Sequence, residues 1–494
     1  MTPTLDDVRA LSPRLTPEYL EEQGLIPLGV DSGVLHVGIW RDDVAVDALF
    51  QLEELFGARV ETHVVDADRA HAAIRRVYGE SSAQSLINAI GIEEYLDDAG
   101  APAIDDLRAL ANEAPVIRLV SMLLTEALEA RASDVHLEAY PDALRVRYRV
   151  DGVLQEAPSP PRSMAPAVIS RLKVMADLDI AERRTPQDGR IRLTLQNRQV
   201  DVRVSTVPTL HGESVVLRLL DKESARLDLA ALGMSAGDLA RFEEVLMRPH
   251  GIVLATGPTG SGKTTTLYAA LERLRTGREK ILTVEDPVEY QLSGIPQVPV
   301  NEKVGVTFAS ALRALLRQDP DVMLVGEIRD GETAEIATQA ALTGHLVLST
   351  LHTNDAAGAL TRLVDLGVAS FLVSATVEAV LAQRLVRTVC TACGTTAPAS
   401  PSERAALGAP DLAQVRRGVG CDACRGSGYS GRTGVYELLV IDDAMRVAIT
   451  SGHGAPAVRR IAHANGTPTL SDDGLRLVKE GVTTPEEVLR VCRG

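Results

Sequence analysis

Residues 251–274, GIVLATGPTGSGKTTTLYAALERL, limit this chain more than any other stretch. A β-leaning apolar run (251–256) comes first, and apolar residues at helical spacing (Leu267, Ala270, Leu271, Leu274) come last. Between them stands G-x-x-x-x-G-K-T, made of Gly257, Pro258, Thr259, Gly260, Ser261, Gly262, Lys263 and Thr264. A polyphosphate needs hydrogen-bond donors on every side. The glycines let the backbone approach closely and turn its N–H groups inward, and the following helix aims the positive end of its dipole at the anion. Lys263 then reaches the outer phosphates, and the Thr264 hydroxyl faces Mg²⁺. A glycine-rich turn that binds nothing would not need all eight positions between a strand and a helix. The stretch reads as a purine nucleoside triphosphate site.

Water activation beside such a loop requires carboxylates, and strand tips supply them. ILTVEDPVEY (281–290) predicts a strand ending in Glu285 and Asp286 and stopped by Pro287. VMLVGE (322–327) predicts a second apolar strand ending in Glu327, the first choice for fixing Mg²⁺ through water and orienting the lytic water. The strand ends of a parallel sheet open onto its ligand crevice, so these acids point to chemistry rather than to turn formation alone. TGHLVLSTLHTN (343–354) sets His345 and His352 on either side of a third strand, as candidate sensors of the terminal phosphate or partners of Glu327.

Cys390 and Cys393, then Cys421 and Cys424, make C-x₂-C, 27 intervening residues, C-x₂-C. Two tight turns presenting two thiolates each complete a tetrahedral site with no open position, the pattern of structural Zn²⁺. The spacing is wider than in common zinc ribbons, so the intervening segment must loop out. The fifth cysteine, Cys492, has no assigned role.

The 494 residues set a length expectation of about three domains. The net charge of −16 leaves no global basic field to hold nucleic acid. No apolar run approaches the roughly 18 residues of a spanning helix. The opening MTPTLDDVRA has no basic segment leading into an apolar core, which reads as a cytoplasmic chain. Any membrane role then falls to partners.

Residues 1–80 read as a small mixed α/β unit suited to docking, with a helix candidate at 17–23, strands at 34–39 and 60–65, and a helix carrying Leu49, Leu52, Leu55 and Phe56. Residues 81–112 read as an acidic, turn-rich linker. In residues 113–220, a helical stripe from Val116 to Leu128 precedes alternating strands (Leu144, Val146, Tyr148, Val150; Val200, Val202, Val204; Val215, Leu217, Leu219), an antiparallel sheet packed by helices. Its arginines read by default as a solvated face, with the alternative that they face a phosphate across an interdomain cleft. Residues 221–235 form a second linker. Residues 236–494 alternate strands with helices, which implies a largely parallel sheet covered on both faces.

Taken together, GPTGSGKTT, VEDPVEY, LRQDPDVMLVGEIRDGETA, ALTGHLVLSTLHTNDA, LAQRLVRTVC, the paired C-x₂-C and GRTGVYELL resemble the secretion ATPases of type II secretion and type IV pilus systems. The likeness extends upstream through LRVRYRVDGVL and DVRVSTVPTLHGESVVLRLLDK, covers residues 113–494, and inclines towards the type II branch. It implies an α/β chain with a RecA-like P-loop ATPase domain, an upstream PAS-like α+β domain, a small N-terminal docking domain, and a zinc-knuckle subdomain at 388–432. It further implies ATP and Mg²⁺ as ligands, with Glu285 and Asp286 in an aspartate box, Glu327 as the Walker B glutamate, and His345 and His352 in a histidine box. Arg203 and Arg218 match the family's phosphate-sensing arginines. A homo-hexameric ring is implied, attached peripherally to the inner membrane through the cytoplasmic domain of a membrane protein and acting on a platform protein. The chain lacks the RLGxxL repeats with which some pilus relatives bind a cyclic dinucleotide, so that ligand is not expected. Rival readings are a type IV pilus extension motor, a DNA-translocating RecA-type ATPase, disfavoured by the acidic balance, and a nucleotide-gated scaffold in which Glu285 and Glu327 are idle.

Overall fold

Where apolar and polar residues alternate, the chain forms strands with one face buried, and where apolar residues recur every three or four positions it forms helices. The computed structural model describes residues 20–21, 23–31, 33–41, 46–77, 110–195, 198–221 and 228–492. Most of the 81–112 linker and of the 17–23 helix candidate lie outside these. The chain divides into two compact units, Met1–Asp221 and Lys222–Gly494.

In the first unit, β1 (Leu25–Asp31) and β2 (Val34–Ile39) pair antiparallel, and β2 pairs in parallel with β3 (Arg59–Val64) after helix α1 (Val46–Phe56). Helix α2 (Ala67–Val77) follows. Leu35, Val37, Leu52, Ala70 and Ile74 share one apolar core.

Helix α3 (Ala114–Glu129) opens the next layer with Pro115 in its first turn and buries Val116, Leu119, Val120, Leu123, Leu124 and Ala127. Beside it lies an antiparallel six-stranded sheet of order β6-β5-β4-β9-β8-β7. Its strands are β4 (Ala132–Ala139), β5 (Leu144–Val150), β6 (Val153–Glu156), β7 (Gln187–Leu195), β8 (Arg198–Thr209) and β9 (Gly212–Asp221), with helix α4 (Ala165–Met175) between β6 and β7. Central strand β4 was not anticipated: only two residues separate it from α3, so no turn signal announces it. The arginines of β5 are not merely solvated. Arg147 pairs with Glu138 at 2.6 Å, Arg149 with Asp134 at 3.8 Å, and Arg145 stacks 4.4 Å over the Tyr140 ring.

The second unit begins within the segment read as a linker. Asp228 caps a short 3₁₀ turn (Leu229–Leu232), and Leu229 is buried in the same core as Phe242 of helix α5 (Ala236–Leu246). A seven-stranded sheet follows, of order β12-β11-β13-β14-β10-β15-β18. Strands β10 (Gly251–Thr256), β11 (Ile281–Glu285), β12 (Gln297–Pro299), β13 (Val322–Val325), β14 (Leu346–Leu351) and β15 (Val377–Val389) run parallel. Every residue of β10, β11, β13 and β14 is buried, as expected of a sheet covered on both faces.

Helix α6 (Lys263–Leu274) covers one face beside α5, and α7 (Phe308–Leu315), α8 (Gly331–Leu342), α9 (Ala356–Asp365) and α10 (Ser370–Thr376) belong to the core of the other. Beyond this anticipated layer, β15 continues into a hairpin of β16 (Gly394–Pro398) and β17 (Gln414–Gly418) that holds helix α11 (Pro401–Ala406). The chain returns as β18 (Tyr429–Val440), antiparallel to β15 at the sheet edge. Four helices, α12 (Asp443–Thr450), α13 (Gly454–Ala464), α14 (Leu470–Lys479) and α15 (Pro485–Cys492), complete the unit.

Candidate active site

Strand β10 delivers the glycine-rich loop to the carboxyl edge of the sheet, and α6 starts at Lys263. Gly260 and Gly262 take positive φ of 77° and 89°, which a Cβ would strain. At Gly257 a Cβ would stand 2.5 Å from the Gln383 carbonyl oxygen and 2.7 Å from Ser261 Oγ, so only glycine fits between the loop and β15. Gln383 Nε2 donates to the Ser261 carbonyl at 2.7 Å and braces the loop from that strand. Lys263 is 8% exposed, and its ammonium lies across the loop, donating to the carbonyls of Gly257 at 2.6 Å and Pro258 at 3.1 Å. Burial pulls its pKa down to about 8; Glu327 opposes this and Arg384 adds to it.

Three neighbouring strand ends converge on the loop. Glu327, just beyond β13, is gripped by Arg329, which also faces Asp286 at 3.8 Å. His352, just beyond β14, brings Nε2 to 3.6 Å from Glu327 Oε2. Burial and the nearby Lys263 charge hold the His352 pKa below its ordinary value. The strand ends are tied to one another: Thr350 Oγ1 donates to the Gly326 carbonyl at 2.8 Å, and the Thr353 N–H donates to Thr256 Oγ1 at 2.9 Å. Lys263, Glu327, His352, Asp286 and Arg329 therefore surround one crevice at the end of the sheet where open α/β folds bind ligands.

Two of the expected residues are placed differently. Glu285 is 3% exposed, and its carboxylate accepts hydrogen bonds from Thr283 Oγ1 at 2.6 Å, from Gln297 Nε2 at 3.0 Å and from the Tyr268 hydroxyl. It braces α6 against β11 and β12 and does not open onto the crevice. His345 stands at the start of β14, the opposite end from His352, with Nδ1 2.9 Å from the Ala340 carbonyl. The histidines flank a six-residue strand, and seven steps at about 3.3 Å each put about 23 Å between them. The structure does not bring His345 to this site.

Arg203 and Arg218 belong to the first unit, directly paired across β8 and β9. With Arg190 and Asp188 they line a groove of about 430 Å³, and Arg218 Nε donates to Asp134 Oδ1 at 3.0 Å. Sequence reasoning gives no role to Gln383, Arg384 and Tyr268, whereas Arg329 and Thr353 stand beside Glu327 and His352 in the sequence. Gln383 and Arg384 lie within LAQRLVRTVC, but nothing in that stretch points to the phosphate loop; their place is set by β15 lying beside β10.

The four cysteines do meet. Their sulfur atoms all lie within 4.8 Å of one another, with Cys390–Cys421 at 3.9 Å, Cys393–Cys424 at 3.8 Å and Cys421–Cys424 at 3.7 Å. Sulfurs bound at about 2.3 Å to one tetrahedral ion stand about 3.8 Å apart, so this donor set fits Zn²⁺. Backbone N–H groups of Cys421 and Gly428 donate to Cys424 Sγ at 3.1 and 3.2 Å, which favours the thiolate a metal requires. The expected excursion between the two pairs is the β16–β17 hairpin with α11.

A braced glycine-rich loop with a buried lysine, facing acidic strand ends on a parallel sheet, defines a P-loop ATPase. Residues 109–490 match the family described as type II/IV secretion system protein, and residues 3–84 match the MshEN domain; the chain belongs to that secretion ATPase family. It is 50% identical over 505 residues to type II secretion system protein E of Pseudomonas aeruginosa, covering 100% of this chain and 99% of the relative. Type II secretion system ATPase E of Vibrio cholerae is 48% identical over 446 residues, covering 90% of this chain and 88% of the relative. Among solved structures, the pilus retraction motor PilT with bound ADP superposes with a TM-score of 0.54 at 26% identity, over 75% of this chain and 96% of that one. The Legionella pneumophila ATPase DotB shares the fold, with a TM-score of 0.56 at 20% identity over 76% of this chain and 96% of that one.

Proposed function

We propose that this secretion ATPase works as a homo-hexameric motor whose ATP hydrolysis drives assembly of a short periplasmic pseudopilus for export by a type II secretion system. The observation that carries the chemistry is the convergence of Lys263, Glu327 and His352 on one crevice. The loop amides and Lys263 would hold the outer phosphates, and Thr264, in the first turn of α6, would supply a hydroxyl ligand to Mg²⁺. When bound, that ion would neutralise charge on the phosphates. Glu327 orients the attacking water. His352, neutral near pH 7, hydrogen-bonds Glu327 or the terminal phosphate, and Arg329 holds Glu327 and Asp286 in register. Arg203 and Arg218 take the role of arginines that meet the terminal phosphate; in Arg203→Ala nucleotide binding is retained and turnover is lost, and survival of both would remove that role.

The relatives named for type II secretion support this machine over a pilus extension motor, and the identity of neighbouring genes discriminates the two. No described helix is long and apolar enough to cross a membrane, which accords with peripheral attachment at the inner membrane through the N-terminal domain and the cytoplasmic part of a membrane protein. Force passes from there to a platform protein. No nucleic acid takes part; DNA-stimulated hydrolysis would argue otherwise. The test of the site is Lys263→Ala in the full chain. ATP turnover falls to background while the circular dichroism spectrum and thermal transition are kept, and unaltered turnover would refute the assignment.

A further inference from the structure

Two imidazoles and a carboxylate converge on the small N-terminal sheet, and the ATPase reading uses none of them. Strands β2 and β3 are parallel neighbours in a register that sets His36 opposite Glu61 and Gly38 opposite His63. Side chains alternate along a strand, so Leu35 and Val37 go into the core while His36 takes the other face. On β3, Val60 packs against the core, which leaves Glu61 and His63 on the face that His36 occupies. His36 Nδ1 stands 2.9 Å from His63 Nε2 and 4.0 Å from Glu61 Oε2. Donor atoms of all three lie within 4.8 Å of one another, one of two such convergences among the described residues, the other being the four-cysteine centre.

We propose that His36, Glu61 and His63 form a site for a divalent transition metal ion of the zinc class, separate from the four-cysteine centre. Two nitrogens held at about 2.0–2.1 Å from one ion stand about 2.9 Å apart at a right angle and about 3.3 Å apart at the tetrahedral angle, so the imidazole pair is close to binding geometry. Glu61 is the most exposed of the three, at 61% of its side chain, and is free to swing the remaining distance. Two imidazoles and a carboxylate favour Zn²⁺ and its first-row neighbours over Ca²⁺ or Mg²⁺, which take oxygen ligands. Three protein ligands leave at least one position for water or for a side chain of a docked protein. The ion would also clamp β2 to β3 and so stabilise the domain by mass action.

The test is a Zn²⁺ titration of the full-length protein against a chromophoric chelator. Wild type takes up one equivalent more than the four-cysteine centre accounts for. His36→Gln with His63→Gln removes that equivalent and leaves the sulfur-bound one and ATP turnover in place. A second equivalent that persists in the double variant, or a wild type that binds only the sulfur-bound ion, overturns the proposal and reduces the contact to an imidazole–imidazole hydrogen bond. If the double variant does not fold, X-ray absorption at the zinc edge of the loaded wild type decides: a mixed sulfur and nitrogen/oxygen shell supports the site, and a shell of sulfur alone refutes it.

Discussion

His352 Nε2 lies 3.6 Å from Glu327 Oε2, although the two residues come from different strands, because β13 and β14 are neighbours in register and both end at the crevice. The pairing gives Glu327 a partner that is neutral near pH 7, since burial and Lys263 depress the His352 pKa. Glu327→Gln keeps nucleotide binding and lowers turnover by about 10²–10⁴-fold, the usual contribution of a positioned acid–base group. His352→Asn has a smaller effect and removes an acid limb of the pH–rate profile that lies below the ordinary histidine range. Wild-type turnover in Glu327→Gln would show that another group activates water.

The depressed pKa of Lys263, about 8, makes ATP affinity depend on pH. A bound polyphosphate favours the charged ammonium and raises its pKa, so binding takes up protons between about pH 8 and the higher value of the complex. Affinity is full below about pH 8 and declines as pH rises through it. Calorimetry in buffers of different ionisation enthalpy measures the uptake; none at pH 8.5 would contradict the assignment.

Glu285 accepts three hydrogen bonds while buried, so Glu285→Ala leaves the Tyr268 and Thr283 hydroxyls without this acceptor, while Gln297 Nε2 keeps the Tyr290 carbonyl at 3.2 Å. The expected destabilisation is about 1–3 kcal/mol, read as a lower denaturant midpoint with unchanged slope. Tyr268→Phe reproduces part of it. A variant as stable as wild type but devoid of turnover would return Glu285 to direct chemistry.

Cys424 is buried and accepts two backbone N–H groups, so Cys424→Ser loses the metal and loosens the turn at 421–428. Metal analysis reads about one equivalent less, and chelation of wild type produces the same increase in proteolysis around the β16–β17 hairpin. A wild type with no sulfur-bound metal would show that the four thiols are merely close neighbours.

Much of this was legible in the sequence. The glycine spacing of the loop, the apolar strands ending in Glu285-Asp286 and Gly326-Glu327, and the paired C-x₂-C are local patterns, and local sterics and hydrogen bonding determine them within a few residues. Alternation likewise identified β5, β8 and β9. The seven-strand order, the bracing of the loop by Gln383, and the return of β18 alongside β15 were not legible. They arise from pairings between residues tens of positions apart, for which a single sequence carries no signal.

By itself, the sequence determined where a polyphosphate cradle could form, which residues could serve it, and which four thiols could share an ion. Only the tertiary structure decided which candidates meet. It brought Glu327 and His352 together, sent His345 to the far end of the same strand, and locked Glu285 beneath the crevice with Tyr268. A strand is rigid and directional, so its two ends lie on opposite edges of the sheet, and motif membership says nothing about which edge faces the nucleotide.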